Sequence, residues 1–231
     1  MTKYRHLFFD LDHTLWDYER NASETLSELF DRHFLADELN TKKEDFIAKY
    51  HIVNDDLWGK HDIGLIDKNQ IRRERFPAIF EHFGSNNQTT AEVMSQEFLE
   101  ECPKKGHIFP FVLDVLHYLK DKYALHVITN GFKEMQSVKM RTSGIDHFFQ
   151  QIIVSEEVGY KKPQTEIFNF ALTKAGAGSY EAVMIGDNLK VDIAGARNAC
   201  IDQVFFNPKR KPFNDQVTYH INCHSELKGI F

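Results

Sequence analysis

The sequence predicts an α/β fold, a doubly wound parallel sheet with an all-helical domain inserted after its first strand. Two observations predict it. Short apolar runs alternate with amphipathic helical stretches through the second half of the chain, the pattern of βαβ units building a parallel sheet. One further apolar run stands alone near the start, and the segment from about Asp17 to Cys102 that follows it holds no strand-like run.

Taken in order, strands are expected near Arg5 to Phe9, Leu125 to Thr129, Gln151 to Ser155, Ala182 to Ile185 and Gln203 to Phe206. Helices are expected between them, near Val112 to Lys122, Glu134 to Ser143, Glu166 to Ala175 and Lys190 to Ala199. Gly144 and Gly176 follow two of these helices, where a C-terminal cap needs a left-handed residue. The inserted segment shows helical spacing instead, as in Leu26, Leu29, Phe30 and Phe46, Tyr50, Val53, Leu57. The expected division is residues 1–16 with 103–231 as the α/β core and 17–102 as a helical cap. After Asn207 a turn-rich stretch leads to a short edge strand at Thr218 to Ile221.

Composition narrows the function classes. A chain of 231 residues with 42% apolar residues can bury a full core and a smaller insert. Its net charge of -6 argues against a nucleic acid polymer or an anionic membrane as partner, while a small anionic substrate is allowed at a locally positive site. Cys102, Cys200 and Cys223 are odd in number and widely spaced, which reads as reduced thiols. The chain runs from MTKYRHLFFD straight into the first strand, leaving no room for a signal peptide, and its apolar runs are too short for a membrane span. A cytoplasmic protein is expected.

Four strand ends carry chemistry. The first strand ends in Asp10 and Asp12, two acids that repel unless a cation lies between them, and Mg2+ suits oxygen donors of this kind. Acids are common at any strand-to-turn exit, so the pair alone is weak. Val183-Met184-Ile185-Gly186-Asp187 repeats the pattern, with Asp192 five residues on near a helix start, placed to hold a cation from elsewhere. Asp187 or Asn188 could be a plain helix cap, but that does not account for both acids. Thr129-Asn130-Gly131 ends another strand in a hydroxyl and a turn, the kind of junction whose amides bind phosphate. Lys162 directly precedes Pro163 at a helix start; its neighbour Lys161 reads as solvated.

In this order D-x-D, T, K-P and GD-x-x-x-x-D resemble the four motifs of the haloacid dehalogenase-like (HAD) superfamily of phosphatases, and the resemblance spans the chain. It implies a Rossmann-like doubly wound core, Mg2+ as cofactor and a small phosphate ester as substrate. It further implies Asp10 as nucleophile, Asp12 as general acid and base, and Lys162 as the charge facing the aspartyl-phosphate. Thr129, Asn130 and Gly131 would bind phosphate with Lys162. Asp187 would bind the metal with Asp10 and Asp12, the last through its main-chain carbonyl, and Asp192 would orient Lys162. The dehalogenases of the superfamily lack the second acid of the first motif, so Asp12 favours phosphoryl chemistry, with a phosphomutase the alternative. A binding module without catalysis would have lost a motif acid, and none is lost.

Within the insert, Tyr50-x-x-x-Asn54-x-x-Leu57-Trp58, Gly64, Arg75-Phe76 and Phe80 resemble the pyrimidine 5'-nucleotidases of the YjjG type, which implies a nucleotide as the ester. Phosphoglycolate and sugar-phosphate phosphatases share the layout. Asn54 and Trp58, one helical turn apart, are candidate specificity residues, though packing between cap helices is the reading of Trp58 that its residue type favours. Arg72, Arg73 and Arg75 read as a solvated helix face. His220, Cys223 and His224 have zinc-ligand chemistry but no accompanying ligand pair, and are set aside.

Overall fold

The computed structural model describes residues 3–231, and the chain divides into two compact units. One runs up to Asp17 and resumes over Gly106–Phe231; the other is Tyr18–Lys105.

Strand β1 (His6–Phe9) opens the first unit, and its residues Leu7, Phe8 and Phe9 are completely buried. The second unit is helical throughout its described elements: α1 (Tyr18–Arg32), α2 (Leu35–Glu38), α3 (Lys43–Asp62), α4 (Lys68–His82) and α5 (Gln88–Glu101). Asp67 starts α4 by accepting from the Gln70 N–H while Gln70 reaches back to the Asp67 N–H, a reciprocal cap. The helices close on Phe46, Tyr50, Phe76, Phe80 and Phe98, all at most 1% exposed. Arg75 departs from the sequence reading: it is buried, not solvated. The reason is its register, four residues from both Ile71 and Ile79 on the face of α4 that packs inward. Its guanidinium lies 4.9 Å from the Phe98 ring centre and 5.3 Å from that of Tyr50, and its Nη1 donates to Asn54 Oδ1 at 3.1 Å.

The first unit continues with α6 (Val112–Leu119), β2 (Ala124–Thr129), α7 (Lys133–Thr142), β3 (Gln151–Val154), α8 (Ser155–Val158), α9 (Thr165–Ala175), β4 (Ala182–Gly186), α10 (Ala194–Asn198), β5 (Asp202–Phe206) and β6 (Tyr219–Ile221). Gly144 and Gly176 sit at φ 67° and 65°, closing α7 and α9 as caps that a side chain would strain. The six strands are all parallel in the order β3-β2-β1-β4-β5-β6, so the expected doubly wound sheet is present. One face is covered by Ile167, Phe168, Ala171 and Leu172 of α9 and by Ala196 of α10, packed on Phe8, Ile128, Ile153 and Met184. Among the described residues no helix is long and apolar enough to cross a membrane.

Where a helix over Lys190 to Ala199 is expected, a π-helical turn (Leu189–Ile193) precedes the short α10. Asn188 sets it: its side-chain oxygen accepts from the N–H groups of Lys190 and Val191, and its carbonyl from those of Asp192 and Ile193. Such turns cluster at functional sites because they redirect a side chain.

Candidate active site

Strand order reverses across β1, since β2 and β3 lie on one side of it and β4, β5 and β6 on the other. A crevice opens at the carboxyl ends of the strands at such a reversal. The register aligns Phe9 with Val127 and with Ile185, so Asp10, Thr129 and Asp187 emerge at neighbouring strand ends. Asp10 stays tied to the sheet edge, its N–H donating to the Ile185 carbonyl at 2.9 Å.

Lys162 is the hub. It is 1% exposed, and its Nζ lies 2.5 Å from Asp10 Oδ1 and 2.7 Å from Asp192 Oδ1. Burial alone would lower its pKa, but the two carboxylates outweigh that and raise it, so it is charged. Asn130 fixes the lysine backbone, donating from Nδ2 to the Lys162 carbonyl and accepting from the Lys162 N–H, both at 2.9 Å. The Asn130 side chain therefore holds the lysine.

Carboxylate oxygens of Asp10, Asp187 and Asp192 all lie within 4.8 Å of one another. Asp192 reaches this point because Gly186 has no side chain: a Cβ there would stand 2.5 Å from Asp192 Oδ2. Asp187 is approached by the Thr14 hydroxyl, which donates to Oδ1 at 3.2 Å. Burial pushes Asp10 up to about 8 and Asp187 to about 7, with repulsion from Asp192 adding to both. The three acids share one ammonium, Asp10 and Asp187 hold their protons more tightly than free carboxylates do, and hard oxygen donors at this spacing fit a divalent cation such as Mg2+.

Asp12 stands elsewhere. Its carboxylate is not one of the three that group together, and the metal role expected of it runs through its main-chain carbonyl instead. After Asp12 the chain turns sharply, with His13 at φ 64° and the Trp16 N–H donating to the Leu11 carbonyl at 2.8 Å. Asp12 Oδ1 is then 2.6 Å from Lys139 Nζ, and Oδ2 accepts from Gln136 Nε2 at 2.9 Å. Burial would raise the Asp12 carboxyl, but Lys139 and the two hydrogen bonds hold it below the usual carboxylate range. Gln136 Nε2 also meets Thr129 Oγ1 at 2.6 Å, which in turn accepts from the Gly131 N–H at 3.0 Å. A Cβ on Gly131 would fall 2.1 Å from Gln136 Nε2, so any side chain there would displace Gln136 from Thr129 and Asp12.

Lys139, Gln136 and Thr14 had no part in the sequence reading. A faint signal existed, because Gln136 and Lys139 are three apart on the helix that follows Thr129-Asn130-Gly131 and so share a face. Asn54 and Trp58 are positioned within the helical unit. Asn54 is buried and its oxygen accepts from Tyr18 and Arg75, while Trp58 is half-buried with its ring edge-on to His61 at 5.3 Å. The His220, Cys223 and His224 cluster does not form a metal-capable group among the described residues.

A family model for haloacid dehalogenase-like hydrolases matches residues 4–199. The chain belongs to that family. It is 32% identical to the HAD-hydrolase YfnB of Bacillus subtilis (strain 168), over all of this chain and 96% of that protein. A crystal structure of YfnB bound to magnesium superposes with a TM-score of 0.89, covering 99% of both chains at 28% identity. The pyrimidine 5'-nucleotidase YjjG of Escherichia coli (strain K12) is 28% identical over 99% of this chain and 98% of its own. The pyrimidine 5'-nucleotidase PynA of Streptococcus pneumoniae (strain ATCC BAA-255 / R6) is also 28% identical, over 97% of this chain and 93% of its own.

Proposed function

We propose that this HAD-like hydrolase is a Mg2+-dependent phosphomonoesterase that works through a phosphorylated Asp10, and that pyrimidine nucleoside 5'-monophosphates are its preferred substrates. The observation that carries the reading is the buried Lys162, bound to Asp10 on one side and to Asp192 on the other. A lysine so held keeps the nucleophile in place before reaction and faces the phosphoryl group after it.

Asp10 and Asp187 would hold the metal, with the main-chain carbonyl of Asp12 as the third protein ligand. Bound there, Mg2+ supplies the positive charge that offsets the carboxylates and the phosphoryl oxygens. An oxygen of Asp10 attacks phosphorus as the bond from phosphorus to the leaving oxygen breaks, and Asp12, which must carry a proton once the ester is bound although it is a carboxylate in the ester-free site, gives that oxygen its proton. A water then attacks the aspartyl-phosphate and passes its proton to Asp12, freeing Asp10 and inorganic phosphate. The Gly131 N–H and the Thr129 hydroxyl lie at the strand end beside this path and suit the phosphoryl oxygens.

Nucleotide preference is supported by extent of match: both nucleotidases resemble this chain across the helical insert as well as the core. The core recognises only the phosphate, so choice among esters falls to the rest of the molecule. A panel of esters assayed with Mg2+ for released phosphate tests both levels. Uridylate or thymidylate should show the highest kcat/KM. Sugar phosphates or phosphoglycolate outpacing every nucleotide would overturn the preference, and no release from any ester would overturn the phosphatase reading.

A further inference from the structure

Lys139 lies on α7 and is 2% exposed, an unusual burial for a lysine. Its ammonium is held between the Asp12 carboxylate at 2.6 Å and the face of Trp16, whose ring centre is 4.5 Å away. Gln136, one turn earlier on α7, covers the other Asp12 oxygen and at the same time the Thr129 hydroxyl. Both Asp12 oxygens are therefore engaged from one helix. The place where they are held is beside the phosphate loop: Asp12 Oδ2 stands 3.0 Å from the point that a Gly131 Cβ would occupy.

A buried ammonium stays in place only if it is paired, and a buried carboxylate bonded at both oxygens has one orientation rather than several. Asp12 gives up its proton in the first half-reaction and must then receive one from water in the second. Between these events it is a carboxylate, the form that Lys139 and Gln136 bind. From this geometry we infer that Lys139, assisted by Gln136, is a positioning residue for the second half-reaction: it holds the Asp12 carboxylate in the orientation from which it takes the proton of the attacking water. In that step the water oxygen bonds to phosphorus, the bond from phosphorus to Asp10 breaks, and the water proton goes to Asp12.

The inference rests on the proposed phosphoenzyme route, and p-nitrophenyl phosphate separates the two. Its leaving group departs as an anion without a donated proton, so kcat/KM reports only the steps through Asp10 phosphorylation, while kcat also includes the hydrolysis that follows. In Lys139→Met, kcat should fall roughly tenfold or more while kcat/KM stays within about threefold of wild type. Acid-quenched enzyme should carry several times more phosphate, and rapid mixing should show a burst of p-nitrophenolate. Lys139→Arg, which keeps the cation, should recover most of kcat. If Lys139→Met does not fold, Lys139→Gln takes its place in the same comparison. Equal falls in kcat and kcat/KM, with no gain in bound phosphate, would overturn the role and leave Lys139 a packing residue. Asp10→Asn in the same assay guards the premise: turnover there would refute the phosphoenzyme route itself, whatever Lys139 does.

Discussion

Lys162 bears on stability as well as on the candidate site. It is completely enclosed with two carboxylates as its partners, so removing its charge leaves Asp10 and Asp192 buried without compensation. Breaking a buried pair in this way costs about 3–5 kcal/mol. Lys162→Met should therefore melt markedly lower than wild type and lose turnover, both readable by denaturant titration and phosphate release; near-native stability would mean that the pair is not closed in solution. The acids at the strand ends were legible in the sequence because a buried apolar strand has no structural use for terminal carboxylates. Lys139, Gln136 and Arg75 were not, because a long polar side chain on a helix looks the same in sequence whether it meets water or a buried partner. Only the packing of α7 against the turn after Asp12, and of α4 within its own unit, tells the two apart.

Among the elements, β2 carries a feature that bears on stability rather than catalysis. His126 is buried in that strand, stacked 4.7 Å from the Phe8 ring, and burial lowers its pKa to about 4; His224, also buried, is lowered to about 3. Both bind a proton more readily when unfolded, near 6.5, than when folded. Their contribution is thus complete above pH 6.5 and is lost as pH falls toward 4 and then 3, at up to about 1.4 kcal/mol per pH unit for each. Urea titrations at pH 7 and pH 5 should show His126→Phe losing less stability between the two than wild type does. An equal loss would mean that His126 is not held neutral. At this level the sequence reading placed the strands well, since each is a short apolar run with a clear end. It missed the π-helical turn after β4, because the cause is one side chain: Asn188 bonding two successive N–H groups.

For the molecule as a whole, the doubly wound order brings Asp10 and Asp187 to adjacent strand ends although they are far apart in sequence, and the insert leaves the chain immediately after the first of these sites. This arrangement was readable because strand alternation and the lone first strand leave few topologies open. If the acids hold Mg2+, chelation should silence turnover and Mg2+ should restore it, whereas Ca2+, which prefers a larger and looser oxygen shell, should not. Mg2+ should also raise the melting temperature of wild type but not of Asp187→Asn, since a ligand bound only by the folded state stabilises it. Full activity after exhaustive chelation would contradict the metal assignment. The proposed reaction turns above all on a covalent bond between Asp10 and phosphorus, and the direct measurement is to quench the enzyme during turnover, reduce it with borohydride and map its peptides. An aspartyl-phosphate is converted to homoserine, so homoserine should be found at position 10 and at no other aspartate, and in proportion to the ester supplied. An unmodified Asp10 in enzyme quenched while phosphate is being released would contradict it.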